Sequence, residues 1–554
     1  MKESLEILFG LLGGLAVFIF GMNMMSECLQ KAAGEKMRSI LALLTKNPVM
    51  GVFAGALTTA VLQSSSATTV MAIGFVSAGL MTLPQSVSII LGANIGTTIT
   101  AQIIAFKISD YIYLFIFAGF AVSYLAKSEK AKNIGQTVFA FGLLFLGIET
   151  MGTVMKPLAS SPFFINMIHK VADVPVLGVL TGTLMTLVVQ SSSATIAVLQ
   201  NFAAQPAADG VTSILGLAGA IPILLGDNVG TTITALFASI GQAKDAKRTA
   251  LAHCIFNISG CFLFIWIIRP YAAFIQWMTP GPEVEVISRQ IANAHTLFNL
   301  IMTIIWTPLL PYMVKIVTGL IRDAAGLPQP VSVPIYLDSK LTAQPAAALA
   351  LVEKEAVHCG ELTDVLLAGL TQAVRADDEE LLHEISQKAL HVRSLNESIT
   401  EYLADMFSAG SMSEEQANEA AGIMYLLGDF DRVAFLCQEM TDSLEEKKEK
   451  KYKYSKDAMK DLEKSFILIE EMYREAFQMH VNGDTDREKK IRKKKEKVLD
   501  LSLSMRKAHL DRVSKGKCSA KLTRPFQKIL NTLDRISNSC LNIADSAVQG
   551  GALR

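Results

Sequence analysis

The sequence has no C-x-x-C and no other metal-type cysteine spacing. Its seven cysteines, Cys28, Cys254, Cys261, Cys359, Cys437, Cys518 and Cys540, are scattered singly. That excludes a zinc ribbon and argues against a disulfide framework, so a reducing compartment is the expectation for the charged part of the chain. No G-x-S-x-G surrounds the serine-rich motifs and no acid–histidine pair sits beside them, so a serine nucleophile lacks its company and no enzyme is expected. The N-terminus, MKESLEILFGLLGGLAVFIFGMNMM, lacks both a strongly basic start and a small-residue cleavage site. It reads as a retained first span rather than a signal peptide. Charge is scarce in residues 1–320 and concentrated in 335–554. The formal net charge of zero and mean hydropathy of +0.37 therefore average an apolar membrane part with a charged soluble part.

What is present is polarity in the wrong place. QSSSATT (63–69) interrupts one of the most apolar stretches of the chain, and QSSSATI (190–196) does so again. A hydroxyl or amide placed in an apolar medium without a partner costs roughly 2–7 kcal/mol. The apolar lead-ins GVFAGALTTAVL (51–62) and GVLTGTLMTLVV (178–189) are too short to cross a bilayer, which takes about 20 helical residues. Each is expected to be a half-helix that enters, stops at the polar break, and turns back or resumes. Full spans are expected at 5–26, 85–106, 110–126, 135–155, 213–240, 251–268 and 294–320.

The two stretches belong to a duplication. Gly51, Gly55, Leu57, Thr59, Val61 and Gln63–Thr68 match residues at a constant offset of 127, and LGANIGTTIT (91–100) is echoed by LGDNVGTTIT (225–234). The glycine-rich stretches 92–98 and 226–232 within these strings are each expected to break a helix. Basic loop residues Lys31, Lys36, Arg38 and Lys46 after the first span, and Lys127, Lys130 and Lys132 before the span at 135–155, place both loops in the cytoplasm. Equivalent spans then run in opposite directions. An inverted repeat of about 130 residues is the expected plan, with TPGPEVEVISRQ (279–290) an outside loop.

Inverted repeats bring two polar interruptions together near the membrane midplane. Helix N-termini there favour an anion, while hydroxyls, amide oxygens and carbonyls suit a hard cation such as sodium. The motifs contain no Arg or Lys, and their one acid is Asp227, where the first repeat has Ala93. A divalent oxyanion entering such a site needs co-bound cations, and Asp227 is the candidate charged sodium ligand. For Thr58, Thr59, Thr186 and the glycines of 51–55 close helix packing is the expected role. Packing alone does not require glutamine. AHCIFN (252–257) and AHTLFN (294–299) place His253 and His295 on late spans, where a neutral histidine bonded to a neighbouring helix is expected. Glu149 also lies on a span.

Paired QSSSATT motifs followed by G-x-N-x-G-T-T resemble the type II sodium/phosphate cotransporters, and specifically their bacterial relatives, over residues 5–320. The resemblance implies phosphate and sodium coordination by Gln63, Ser64, Ser65, Ser66 and Thr68, and by Gln190, Ser191, Ser192, Ser193 and Thr195. Asn94, Thr97, Thr98, Asn228, Thr231 and Thr232 follow with Asp227. Sodium is the expected co-transported ion, with no other cofactor.

Past a proline-rich linker (321–345), helical segments are expected at 346–375, 377–408, 413–447, 455–481, 485–514 and 523–548, as two sets of three antiparallel helices. LDRISNSCLNIADSA (533–547) and LLGDFDRVAF (426–435) resemble the metal motifs of PhoU domains. Asn538 stands where that pattern has Asp, and Tyr425 where an acid precedes Gly428. The resemblance implies Asp429 and Asp534 as metal ligands; solvated helix-face acids are the alternative. The basic runs 447–456 and 487–497 read as solvated faces or as contacts to anionic lipid, without the aromatic platform of a nucleic-acid site.

The expected protein is all-α: transmembrane repeats at 1–133 and 134–320, then a cytosolic PhoU-like bundle at 346–554 in a bacterial inner membrane. Sodium-coupled phosphate symport is its expected function. Transport of another oxyanion and a non-transporting phosphate-responsive regulator are the alternatives, and homo-oligomerisation stays open.

Overall fold

The computed structural model describes residues 2–42, 47–106, 108–159, 170, 174–207, 209–322, 334–376, 379–409, 412–450 and 454–548. Lys46, residues 323–333 of the linker and the centre of the 447–456 basic run lie outside the described residues. Two compact units are present, Met1–Ala325 and Gly326–Arg554. Among the described residues both are helical.

The first unit contains α1 (Lys2–Ala42), α2 (Pro48–Leu62), α3 (Ser65–Ser77), α4 (Leu83–Ile104), α5 (Ile112–Leu125), α6 (Glu129–Ala159) and α7 (Pro175–Val189). It continues with α8 (Ser192–Ala203), α9 (Gly216–Gly230), α10 (Thr232–Ser239), α11 (Lys244–Phe264), α12 (Ile268–Met278), α13 (Glu283–Trp306) and α14 (Leu310–Leu320). Among the described residues four helices are long and apolar enough to cross a membrane, or six if each of two bent pairs is one span. Large apolar side chains such as Phe117, Leu125, Trp266 and Trp277 stand exposed on this unit, as lipid-facing residues must.

Several expected boundaries are corrected. The spans drawn at 251–268 and 294–320 are bent: α11 and α12 meet at 90°, and α13 and α14 at 82°. The expected loop at 279–290 is helical from Glu283 onward, and Lys31, Lys36 and Arg38 continue α1 rather than forming a loop. At 14 residues α5 is shorter than a full crossing. The glycine-rich break expected at 92–98 is absent, because α4 runs through it unbroken. There the glycines serve close approach. A Cβ on Gly92 would collide with the Val52 carbonyl of α2, and one on Gly55 with that of Ile89. Gly226 and Gly182 repeat this between α9 and α7, against Val179 and Ile223. In the second repeat α9 passes into α10 through Thr231 at φ −62°, ψ −23°, so that interruption is slight.

The second unit contains α15 (Pro345–Ala376), α16 (Glu379–Ser408), α17 (Glu414–Glu449), α18 (Lys456–Asn482), α19 (Glu488–Ser514) and α20 (Thr523–Val548). In α18, Leu462, Phe466, Ile469, Tyr473, Ala476 and His480 recur every three or four residues and are all buried. Helices α15–α17 pack as one set of three and α18–α20 as another, joined through α17 with α20 and α15 with α18 around one core.

Candidate functional site

Each serine motif is a hinge. Gln63 closes α2 with φ 52°, ψ 25°, and Gln190 closes α7 with φ 57°, ψ 21°. Among the described residues they are the two non-glycine residues at positive φ, a conformation that costs an L-residue roughly 1–2 kcal/mol. Ser64 and Ser191 then cap the next helix, their hydroxyls accepting from Ala67 N–H at 3.1 Å and Ala194 N–H at 3.3 Å.

The chain turns back at each hinge. The Thr59 hydroxyl donates to Thr68 Oγ1 at 2.9 Å, although nine residues of straight helix would separate them by about 13 Å. Thr186 and Thr195 repeat the contact at 3.0 Å. The pairs α2–α3 and α7–α8 are therefore helical hairpins, which resolves whether the half-helices turn or resume.

The hinge glutamines repeat the same hydrogen bonds, although Gln63 is buried and Gln190 exposed. Gln63 Nε2 donates to the Ala60 carbonyl at 2.5 Å, and its Oε1 accepts from Thr100 at 2.9 Å. Gln190 Nε2 donates to Leu187 O at 2.6 Å, with Thr234 reaching its Oε1 at 3.4 Å. Ser65, Ser192 and Ser193 are buried and Ser66 half-buried, each in the first turn of its helix. Among the described residues none of these four hydroxyls makes a hydrogen bond. The first N–H groups of a helix likewise have no intrahelical acceptor. Each hinge thus offers donors to an anion and oxygens to a cation.

The residues of the G-x-N-x-G-T-T strings are more self-contained. Thr97, Thr98, Thr231 and Thr232 donate to carbonyls three or four residues back in the chain, as do the amides of Asn94 and Asn228. Asn228 Oδ1 faces His295 Nε2 at 3.3 Å and Asn299 Nδ2 at 3.4 Å, both from α13. Glu149 is exposed on α6.

The repeats differ at Asp227. It is wholly buried, its Oδ1 accepts from the Thr186 hydroxyl at 2.5 Å, and its Oδ2 has no partner. A hydroxyl has one proton, so Thr186 cannot donate to the carboxylate and to Thr195 at once, and the Thr195 hydroxyl itself donates to Ser191 O at 3.2 Å. Thr59 and Thr186, assigned by sequence to packing, therefore belong to the polar set, as do Thr100 and Thr234. The signal was available: Thr59 and Thr186 share the repeat offset, and Thr100 and Thr234 end the duplicated LGxNxGTTIT string.

In the second unit Asp429 and Asp534 are apart. Asp429 is buried and its Oδ1 accepts from Asn542 Nδ2 at 3.3 Å. Burial pushes its carboxyl above the ordinary range, against the opposing pull of Asn542 and Arg432. Asp534 accepts from Lys495 at 2.7 Å. Among the described residues no group of three or more His, Cys, Asp or Glu is placed to hold a metal ion.

The family model described as Na+/Pi-cotransporter matches residues 17–153 and 154–278. The Bacillus subtilis (strain 168) protein named "Uncharacterized protein YqeW" is 31% identical over 292 residues, covering 53% of this chain and 91% of that one. The chain belongs to the Na+/Pi-cotransporter family. A second model, the PhoU domain, matches residues 463–547. Along nearly the whole chain runs "Putative inorganic phosphate export protein YjbB" of Escherichia coli (strain K12), 22% identical over 541 residues and 97% of each protein. Human "Sodium-dependent phosphate transport protein 2B" is 36% identical over 97 residues, 17% of this chain and 14% of that one. No solved structure matches. Membership of this family of transporters accounts for the apolar spans, and the PhoU match for the helical unit that follows them.

Proposed function

We propose that the protein carries inorganic phosphate across a bacterial inner membrane by sodium-coupled alternating access, with the C-terminal unit in the cytoplasm as its regulator. One observation carries this reading: two matching hairpins each hold a glutamine at positive φ beside first-turn serines whose hydroxyls make no hydrogen bond among the described residues. Phosphate takes the helix N-termini and hydroxyls of both hinges. Gln63, Ser64, Ser65, Ser66 and Thr68 serve from one repeat, and Gln190, Ser191, Ser192, Ser193 and Thr195 from the other. Sodium takes the oxygens, above all Asp227 Oδ2, whose burial without a cationic neighbour is otherwise costly. Asn94, Thr97, Thr98, Asn228, Thr231 and Thr232 line the same layer.

Inversion of the repeats is supported by hydrogen bonds at the ends of α4. Gln200, near the end of α8, donates to Ala101 O near the end of α4 at 3.1 Å, whereas α3 leads within a few residues to the start of α4. This contact supports hairpins that point opposite ways as seen from α4. The name of the YjbB relatives, which are called phosphate export proteins, favours a second reading in direction alone: the same site working outward.

Uptake of labelled phosphate into proteoliposomes, with and without a sodium gradient, tests the proposal. Gradient-dependent uptake is expected. Its absence favours the non-transporting regulator, and equal transport of sulfate favours a general oxyanion carrier. Asp227→Ala, which copies Ala93 of the first repeat, is expected to raise the half-saturating sodium concentration at least about tenfold, the effect of about 1.4 kcal/mol. Unchanged sodium dependence removes Asp227 from the site.

A further inference from the structure

A PhoU-like unit with LDRISNSCLNIADSA raises the question of what neutralises its acids. The residues present do not fit a metal ion. Asp534 and Asn542, the partner of Asp429, stand eight positions apart on α20, about 12 Å along the helix. An ion whose ligand oxygens lie at about 2.0–2.2 Å cannot draw on acids spaced like this. Asp545 is engaged by Arg492 at 2.6 Å, and Asn538 brings no charge.

A lysine stands there instead. Lys495 Nζ donates to Asp534 Oδ1 at 2.7 Å, Ser537 Oγ at 2.8 Å and the Asp534 carbonyl at 3.1 Å. Three acceptors match the three hydrogens of an ammonium group. Its side chain is 16% exposed, unusually enclosed for a lysine. The preceding residue, Lys494, pairs with Glu471 and Glu475 of α18 at 2.6 and 3.3 Å. Two successive lysines of α19 thus tie it to both neighbours, one to each.

We infer that Lys495 is a built-in cation of the C-terminal unit: its ammonium neutralises Asp534 and pins α19 to α20, and the unit folds without iron or zinc. Charge supports this. Lysine and Asp534 sum to zero, whereas a divalent ion facing one carboxylate and neutral neighbours leaves a positive charge half-buried. Part of the 487–497 basic run is therefore internal structure rather than a solvated face.

The test uses the full-length chain purified in detergent without chelator. Elemental analysis is expected to find iron, zinc and manganese each below about 0.1 equivalent per chain, and EDTA or added zinc to leave the melting temperature unchanged, because a metal-organised fold would follow metal supply. Lys495→Met is expected to lower the melting temperature by at least about 2 °C, with no rescue by metal. Stoichiometric metal in the wild-type protein, loss of stability in EDTA, or an unaltered Lys495→Met melt each overturns the inference. Should Lys495→Met fail to fold, Asp534→Asn supplies the variant. It keeps the neutral acceptors and is expected to melt below wild type with no response to metal, whereas a wild-type melt or rescue by zinc counts against the lysine.

Discussion

Replacing either hinge glutamine by glycine separates backbone geometry from ligand chemistry. At Gln63 the side chain makes two hydrogen bonds, to Ala60 O and from Thr100, worth about 1 kcal/mol each. Glycine loses both but relieves roughly 1–2 kcal/mol of positive-φ cost, so Gln63→Gly should melt close to wild type. Gln63→Ala loses the same bonds and keeps the strain, a net cost of about 2 kcal/mol. At Gln190 the Thr234 contact is long, 3.4 Å, so Gln190→Gly should be neutral or slightly stabilising. A hydrogen bond to a charged partner contributes about 1.5–3 kcal/mol. If the glutamines face phosphate, either glycine variant should lose roughly 10- to 150-fold in phosphate uptake while remaining folded. The assays are thermal unfolding in detergent and labelled uptake into proteoliposomes. Wild-type uptake in both glycine variants would refute the reasoning and leave the glutamines as local turn residues.

Two further outcomes follow from packing and burial. Gly92→Ala and Gly226→Ala place a methyl group against the carbonyls of Val52 and Val179, and should each cost at least about 1–3 kcal/mol because backbone cannot yield. A melting temperature within about 1 °C of wild type contradicts the close approach of α2 to α4 and α7 to α9. In the second unit Glu355 is wholly buried, its carboxylate accepting from Tyr336 N–H at 2.6 Å, and burial raises its pKa. A raised folded pKa gives stability that is fully present below the unfolded value of about 4.3 and lost as pH rises through the folded one. Glu355→Gln removes this loss, so the melting temperature of the variant relative to wild type should rise as pH is raised above the unfolded value. A constant difference would show that the carboxyl is not perturbed.

Patterns that live in a short window were legible in the sequence. The duplicated QSSS strings stand out because apolar surroundings make polar residues conspicuous. The segment expected at 455–481 is found as Lys456–Asn482, and that at 523–548 as Thr523–Val548, since amphipathic period and caps are local properties. The composition of glycine, asparagine and threonine at 92–98 misled, because the same glycines that permit a break also permit two backbones to touch. Which use prevails depends on whether α2 lies against them.

By itself, then, the order of residues determined that the chain is helical, where the helices of the second unit lie, and that the two polar strings of one half repeat in the other. Tertiary structure alone decided the direction of the chain after each left-handed glutamine, since that depends on what the following helix packs against. It also decided the bends after Phe264 and Trp306, the meeting of Asn228 with His295, and the lysine that answers Asp534. The last two join atoms 67 and 39 residues apart, and no local pattern encodes a partner at that distance.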